Sequence, residues 1–186
     1  MKIISALFYV ALATGQQAAD KTPLEPSLRD ELLAMRAADQ EARTQSSVTA
    51  EAGATVDRRN TARLKEIVDR HGWPTYSLVG RDGADAAFLL AQHADMDPAF
   101  QKRALSLMEP LVASGEATAS NYAYLWDRTH APQRFGTQGR CVGKSEWAPR
   151  EIEQPEEVDV RRASVGLPPM HEYVKVVSQF CTRSEE

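Results

Sequence analysis

Two of the four histidines stand where an apolar helical stripe ends, and imidazole is the side chain best suited to proton transfer near neutral pH. His71 and His93 each follow three apolar residues at helical spacing. Those residues are Leu64, Ile67 and Val68, then Ala86, Leu89 and Leu90. Because side chains at this spacing share one helix face, we expect both imidazoles to point into the protein. A buried imidazole needs hydrogen-bond partners, so the sequence predicts one inward-facing polar cluster.

A carboxylate beside a histidine determines which ring nitrogen carries the proton, and this arrangement suits acid–base chemistry. Two such pairs are expected, His93 with Asp95 and His71 with Asp127. The candidate catalytic residues are therefore His71, His93 and Asp127. Arginines can hold an anionic group with two hydrogen bonds, and Gln138 on a glycine-rich turn can donate to a carbonyl. The candidate ligand-binding residues are Asp39, Gln40, Arg43, Asn60, Trp73, Gln92, Asp95, Arg128 and Gln138.

Other interpretations of these polar residues remain open. Spacing alone favours a solvated helix face for Asp39, Gln40 and Arg43. The two imidazoles can also be core groups that neighbouring carboxylates and amides satisfy. Nitrogen and oxygen ligands for a metal are present, but the familiar spacings of metal-binding histidines and cysteines are not, so no metal site is predicted. No nucleophile turn, phosphate loop or dinucleotide motif is present, so the cofactor stays unknown.

The N-terminal residues have the pattern of a secretory signal peptide. Lys2 precedes an apolar run and small residues follow it, which predicts a signal peptide at residues 1–15 and a periplasmic or secreted protein. Residues 16–26 are expected to be a disordered lead-in. An exported protein with two cysteines favours a disulfide, here between Cys141 and Cys181, over two free thiols.

The composition and the net charge limit the classes of partner that the protein is expected to bind. The 186 residues are 42% hydrophobic and 26% charged, which fits one globular domain, expected at residues 27–182. The net charge of −4 gives no electrostatic basis for binding nucleic acid. After signal cleavage, no membrane span is expected. A small molecule or peptide is the partner that remains open, and the oligomeric state stays unknown.

The periodicity predicts a mainly α fold, a compact bundle of about five or six helices with a small β-hairpin near the C-terminal third. Residues 83–94 are apolar on nearly every side, which indicates the central buried helix. Asp97-Pro98 is a strong helix start. Residues 44–56 lack helical periodicity and predict a flexible loop. The hairpin is expected after Phe135, with its turn near Gly143-Lys144.

A set of short motifs spread over residues 28–178 resembles a bacterial family known as domain of unknown function 6624. The motifs include His71-Gly72-Trp73-Pro74, Ser77-Leu78-Val79-Gly80, Gln92-His93-Ala94-Asp95, Gly136-Thr137-Gln138 and Gly166-Leu167-Pro168-Pro169. Two positions depart from the family pattern: Phe135 stands where tyrosine is usual, and Trp126 where threonine is common. The resemblance implies a mainly α-helical domain and brings no established activity.

Two functional hypotheses follow from the polar cluster. The first is an exported small-molecule- or peptide-processing enzyme of hydrolase type. The second is a non-catalytic ligand-binding or interaction domain, in which the cluster only fixes helix packing. A solvent-reachable cleft at the cluster favours the first hypothesis, and side chains saturated by their neighbours favour the second.

Overall fold

The computed structural model describes residues 23–44 and 50–181. The signal peptide expected at residues 1–15 and most of the lead-in expected at residues 16–26 lie outside the described residues. The first helix begins at Pro26, next to the predicted start at Ser27. None of the helices in the described ranges has the length and apolar character needed to cross a bilayer.

Helices form most of the described chain, and the mainly α fold class with a small C-terminal hairpin is confirmed. The helices are α1 (Pro26–Thr44), α2 (Ala50–His71), α3 (Tyr76–Gln92), α4 (Pro98–Ala113), α5 (Ala119–Thr129), α6 (Val158–Ser164) and α7 (Met170–Ser178). The strands β1 (Gly139–Gly143) and β2 (Glu146–Pro149) pair antiparallel. A short 3-10 turn, Pro155–Glu157, precedes α6.

The central helix is α3, which contacts α1, α2, α4 and α5. Most of its buried positions are small: Gly83, Ala84, Ala86, Ala87 and Ala91. Small side chains let the surrounding helices approach closely, and these helices supply larger residues such as Leu32, Leu64, Ile67 and Met108. The prediction of a central buried helix near residues 83–94 is therefore correct, although α3 starts earlier, at Tyr76, is kinked at Gly80 and ends at Gln92.

The loop predicted for residues 44–56 is wrong over much of its length, because α2 begins at Ala50. The first turns of α2 are rich in alanine, which forms helices readily. Without larger apolar residues on one face, these turns show no helical periodicity in the sequence. Asp57 therefore lies within α2. Residues 45–49 of the predicted loop lie outside the described part of the chain.

The start of α4 follows the prediction. The side chain of Asp97 accepts a hydrogen bond from the Phe100 amide at 3.0 Å, and Pro98 is the first helical residue. This cap matters for the site below, because it determines the position of the turn that joins α3 to α4.

A second, smaller core around Ala123, Phe135 and Leu167 holds the C-terminal third against α5. Beside it, Arg162 is fully buried and donates to the carbonyls of Phe135 and Pro168, each at 2.6 Å. These bonds hold the segment after Phe135 in place, and that segment carries Gln138.

The hairpin turns at Gly143–Glu146, as expected, and Cys141 of β1 is bonded to Cys181 after α7. The predicted disulfide is therefore present in the structure. It joins the hairpin to the end of the last helix, which otherwise has no fully buried residue.

Replacing both Cys141 and Cys181 with serine is expected to lower the free energy of unfolding by about 3 kcal/mol. The bridge spans a sequence separation of 40, so its loss increases the conformational freedom of the unfolded chain. Urea denaturation without reductant measures the effect. The fully reduced parent protein should match the double variant, and a double variant as stable as the oxidised parent would contradict this account.

Candidate functional site

The turn between α3 and α4, residues 93–97, is joined to three other helices by alternate side chains. The pairs are His93 with Asp39 of α1, Asp95 with Arg128 of α5, and Asp97 with Lys65 of α2. Because every second residue contacts a different helix, the turn is held from three sides. The candidate site is built around this turn.

The first pair is a buried carboxylate against a partly exposed imidazole. Asp39 Oδ1 lies 2.8 Å from His93 Nδ1, and Gln40 Nε2 donates to Asp39 Oδ2 at 2.7 Å. The Asp39 side chain is 1% exposed and that of His93 is 20% exposed. Both carboxylate oxygens therefore have partners, while part of the imidazole remains reachable from solvent.

The proton of His93 can be assigned from its two neighbours. Arg43 Nε lies 3.2 Å from the same Nδ1 atom, so Asp39 and Arg43 compete for it. A bond from Arg43 needs a lone pair on Nδ1, whereas a bond to Asp39 needs a proton there. The contact with Asp39 is shorter and its acceptor is charged, so we assign the proton to Nδ1. The lone pair of the neutral ring then lies on Nε2, which has no hydrogen-bond partner in residues 23–44 and 50–181.

Asp39 is held in its ionised form. Burial raises the pKa of Asp39, but the hydrogen bonds from His93 and Gln40 and the nearby charges of His93 and Arg43 outweigh it. The net effect is a pKa below the ordinary value for an aspartate. An ionised Asp39 is what the assigned His93 tautomer requires.

The lowered pKa of Asp39 gives a testable pH dependence. The carboxylate stabilises the fold above the pKa it has in the unfolded chain, about 4, and this stabilisation is lost as the pH falls through the lower pKa of the folded state. We expect Asp39→Asn to lower the free energy of unfolding by about 2 kcal/mol at neutral pH. In strong acid the parent protein and the variant should differ by less. Urea denaturation of both proteins between about pH 7 and pH 2 measures this, and a difference that does not narrow would contradict it.

A cavity of about 280 Å³ opens beside His93. Its lining residues are Asp57, Arg58, Thr61, Ala62, Lys65, His93, Met96 and Asp97. Asp57 pairs with Arg43 at 2.9 Å, and Asp97 pairs with Lys65 at 2.6 Å. Among the described residues, no carboxylate pairs with Arg58, which contacts only the Thr55 hydroxyl and the Met96 sulfur. The cavity therefore combines one un-neutralised cation with an imidazole and an apolar wall.

The second pair belongs to a separate network on the α5 side of the turn. Arg128 holds Asp95 with two hydrogen bonds, one of them at 2.9 Å from Nε, and donates to Gln138 Oε1 at 3.0 Å. Gln101 Nε2 also reaches Asp95, at 3.2 Å, together with the carbonyls of Ala91 and Gln92. This network joins α3, α4, α5 and the segment before β1.

Asp127 organises the segment that follows α5. Its oxygens accept bonds from the amides of Arg134, Phe135 and Thr137 and from the Thr137 hydroxyl, at 2.8–3.0 Å. The residue is 3% exposed. With both oxygens used twice, the carboxylate has no position left for a substrate, and its geometry is that of a structural residue.

One comparison with known proteins identifies the family of the chain. Residues 26–182 match the family described as "Family of unknown function (DUF6624)", which covers most of the chain. The chain belongs to this family. The DUF6624 chain matches no curated protein and no solved structure.

Several predicted site residues of this DUF6624 chain are core or packing groups. Trp73 is buried at the end of α2, and Asn60 donates to the Met35 carbonyl at 3.3 Å. Gln92 has a buried side-chain oxygen that finds no partner among the described residues. Phe135, where the family pattern has tyrosine, packs in the smaller core. These positions support the site indirectly, through the packing of α2, α3 and α5.

The predicted position of His71 is wrong. His71 is exposed at the end of α2, near the start of α3, whereas His93 follows the other end of α3. The continuous part of α3 from Arg81 to Gln92 alone spans about 18 Å, so the two imidazoles do not share one site. The predicted pairs are wrong as well, because His93 contacts Asp39 and Asp95 contacts Arg128. The solvated helix face that spacing favours for Asp39 is also wrong, since Asp39 is fully buried.

Other predicted site residues do lie close together. Asp39, Gln40 and Arg43 gather around His93, and Asp95, Arg128 and Gln138 form the α5-side network. Within residues 23–44 and 50–181, no group of three or more His, Cys, Asp or Glu side chains is placed to hold a metal ion. The structure thus divides the predicted cluster into two polar centres, one on each side of residues 93–97.

Most of the cavity wall consists of residues that were not predicted for the site. Asp57, Arg58, Thr61, Ala62 and Lys65 line it from α2. Arg58, Thr61, Ala62 and Lys65 follow Asp57 by one, four, five and eight residues, which is the spacing of a single helix face. This signal was present in the sequence, but a polar face on a helix ordinarily indicates solvent exposure.

Proposed function

We propose that this DUF6624 domain is a small-molecule- or peptide-processing enzyme of hydrolase type, with His93 as its general base. The observation that carries the proposal is the position of Asp39 on Nδ1 of an imidazole that lines a cavity. A buried carboxylate in that position orients the ring and stabilises the imidazolium that forms when Nε2 takes a proton. Asp39 is thus a positioning residue for His93.

The reaction that fits is attack by water on a carbonyl carbon. His93 Nε2 takes a proton from the water as its oxygen bonds to the carbonyl carbon. The imidazolium then returns that proton to the leaving oxygen or nitrogen as the bond from this atom to the carbon breaks. The carboxylate of Asp39 stays ionised throughout. No side-chain nucleophile is needed for this route, since water forms the new bond directly.

The cavity wall supports a substrate with an apolar body and one anionic end. Arg58 is the un-neutralised cation, so a carboxylate of the substrate is its natural partner. Ala62 and Met96 supply apolar contact beside it. A volume of about 280 Å³ is at the small end of ligand pockets, which favours a small molecule or the terminal residue of a peptide.

Chromogenic esters with matched shapes test this proposal. The 4-nitrophenyl monoester of adipate carries a free carboxylate, and 4-nitrophenyl hexanoate is its uncharged counterpart. We expect the protein to hydrolyse the charged ester with the lower KM. Arg58→Gln should raise that KM about tenfold and leave the KM of the neutral ester unchanged. Arg59→Gln is the control, because Arg59 is an exposed cation next to Arg58 in sequence and does not line the cavity. Equal loss on both esters, or no hydrolysis of either above the buffer rate, would contradict the proposal.

A non-catalytic function is the second candidate, and the attachment of residues 93–97 to three helices supports it. In that case the Asp39–His93 pair fixes the packing of α1 against α3 and the domain serves for ligand binding or interaction. His93 variants would then change stability without changing turnover of any ester.

Export is part of the proposal. The signal-peptide pattern at residues 1–15 and the Cys141–Cys181 bridge both support a periplasmic or secreted protein whose single domain spans residues 27–182. The mass of the protein recovered from its exporting host tests this. A mass short of about the first 15 residues is expected, and a mature protein that still begins at Met1 would contradict export by cleavage.

A further inference from the structure

A second cavity, of about 410 Å³, lies on the α5 side of residues 93–97. It is lined by Asp95, Pro98, Gln101, Lys102, Arg128, Thr129 and Arg150. It is separate from the cavity beside His93, with which it shares no lining residue. A smaller cavity of about 260 Å³ adjoins it, since Arg128, Thr129 and Arg150 line both.

The lining of the larger cavity has an excess of positive charge. Lys102, Arg128 and Arg150 are cations, and Asp95 is the one anion among its lining residues. Arg128 is neutralised by Asp95 through two hydrogen bonds. Lys102 and Arg150 have no carboxylate within ion-pair distance in the described residues. Two positive charges therefore remain at the cavity without a counter-charge. Glu151, the next residue along the chain, lines the smaller cavity instead.

The backbone that carries Arg150 is held firmly. Its amide donates to the Gln138 carbonyl at 2.9 Å, and its own carbonyl accepts from Gln133 Nε2 at 2.8 Å. Gln133 Nε2 also donates to the Gln138 carbonyl at 2.9 Å, and Gln138 in turn accepts from Arg128. Arg128 and Arg150 are thus attached to one hydrogen-bonded frame, which fixes the backbone of Arg150 beside the Arg128 side chain.

From this geometry we infer a second ligand site that binds a small dianion, such as a dicarboxylate or a phosphate monoester. Lys102 and Arg150 neutralise its two charges, while Arg128 stays paired with Asp95 in the wall of the same cavity. A monoanion leaves one cation unpaired, so the site discriminates by charge. The inference is independent of His93 and of the proposed hydrolysis.

Calorimetric titration with malonate, inorganic phosphate and acetate at constant ionic strength tests the site. We expect malonate or phosphate, or both, to bind with a Kd at least tenfold lower than that of acetate. Arg150→Gln and Lys102→Gln should each raise the Kd of the dianion about tenfold. Both side chains are exposed, so neither change should affect folding, which the unfolding temperature checks.

Lys144→Gln is the matched control, because it removes the same charge at the turn end of the hairpin, away from Arg150. It should leave the Kd within about twofold of the parent value, since exposed charges at that distance are screened by salt. Binding of malonate alone or phosphate alone supports the site and identifies the anion class. The inference is overturned if neither dianion binds more tightly than acetate, or if Lys144→Gln weakens binding as much as Arg150→Gln.

Discussion

Asp127→Asn is expected to lower the free energy of unfolding by about 3–5 kcal/mol. The carboxylate accepts four hydrogen bonds in a buried position, from three amides and one hydroxyl of residues 134–137. An asparagine keeps one oxygen and places an NH2 group against two of these donors. Those donors are then buried without an acceptor, which is among the largest costs that a single substitution produces.

Urea denaturation measures this loss, and Asp30→Asn serves as the control. Asp30 has a 74% exposed side chain and one contact, to Arg29, so its substitution should cost less than about 1 kcal/mol. If Asp127→Asn proves as mild as Asp30→Asn, Asp127 is not the residue that holds the segment before β1.

His93→Ala is expected to lower kcat/KM for the adipate monoester by about 10²- to 10⁴-fold, the usual contribution of a general base. The imidazole is partly exposed at the cavity and contributes one hydrogen bond to Asp39, so the cost in stability should stay at about 1–3 kcal/mol. Steady-state rates at a temperature where both proteins are folded separate the two effects. A stability loss without any loss of rate would favour the non-catalytic candidate.

Two controls make the result specific to His93. His71→Ala removes an exposed imidazole at the far end of α3 and should leave the rate unchanged. Asp39→Asn keeps the imidazole but alters the partner of Nδ1, so it should lower kcat more than it raises KM. An equal loss of rate in His71→Ala would mean that the activity does not arise in the cavity beside His93.

Local signals predicted the elements well. The start of α4 at Asp97-Pro98 and the hairpin turn at Gly143 depend on residues close together in sequence, and the structure has both. Residues 50–56 show the limit, because an alanine-rich helical segment lacks the apolar stripe that periodicity detects. Helix propensity alone was the signal there, and it is weak.

The partners within the site could not be predicted, because they depend on how separate helices pack. Asp39 lies 54 residues before His93, and nothing local indicates that α1 buries it against α3. His71 was misplaced for a related reason. An apolar stripe indicates which face of its own helix a side chain lies on. It does not indicate whether a neighbouring helix extends far enough to cover that face at the last turn. Gly72, with φ of 74°, ends α2 at that point.

The central claim is that Asp39 holds the proton on Nδ1 of His93 and leaves Nε2 available at the cavity. Long-range ¹H–¹⁵N NMR of the imidazoles, with His93→Gln to assign the signals, measures this directly at a pH where the ring is neutral. We expect His93 to be the Nδ1–H tautomer, with Nε2 unprotonated, and Asp39→Asn to shift it towards Nε2–H. An Nε2–H tautomer in the parent protein, with Nδ1 accepting from Arg43, would contradict the claim, because no lone pair would then be available at the cavity.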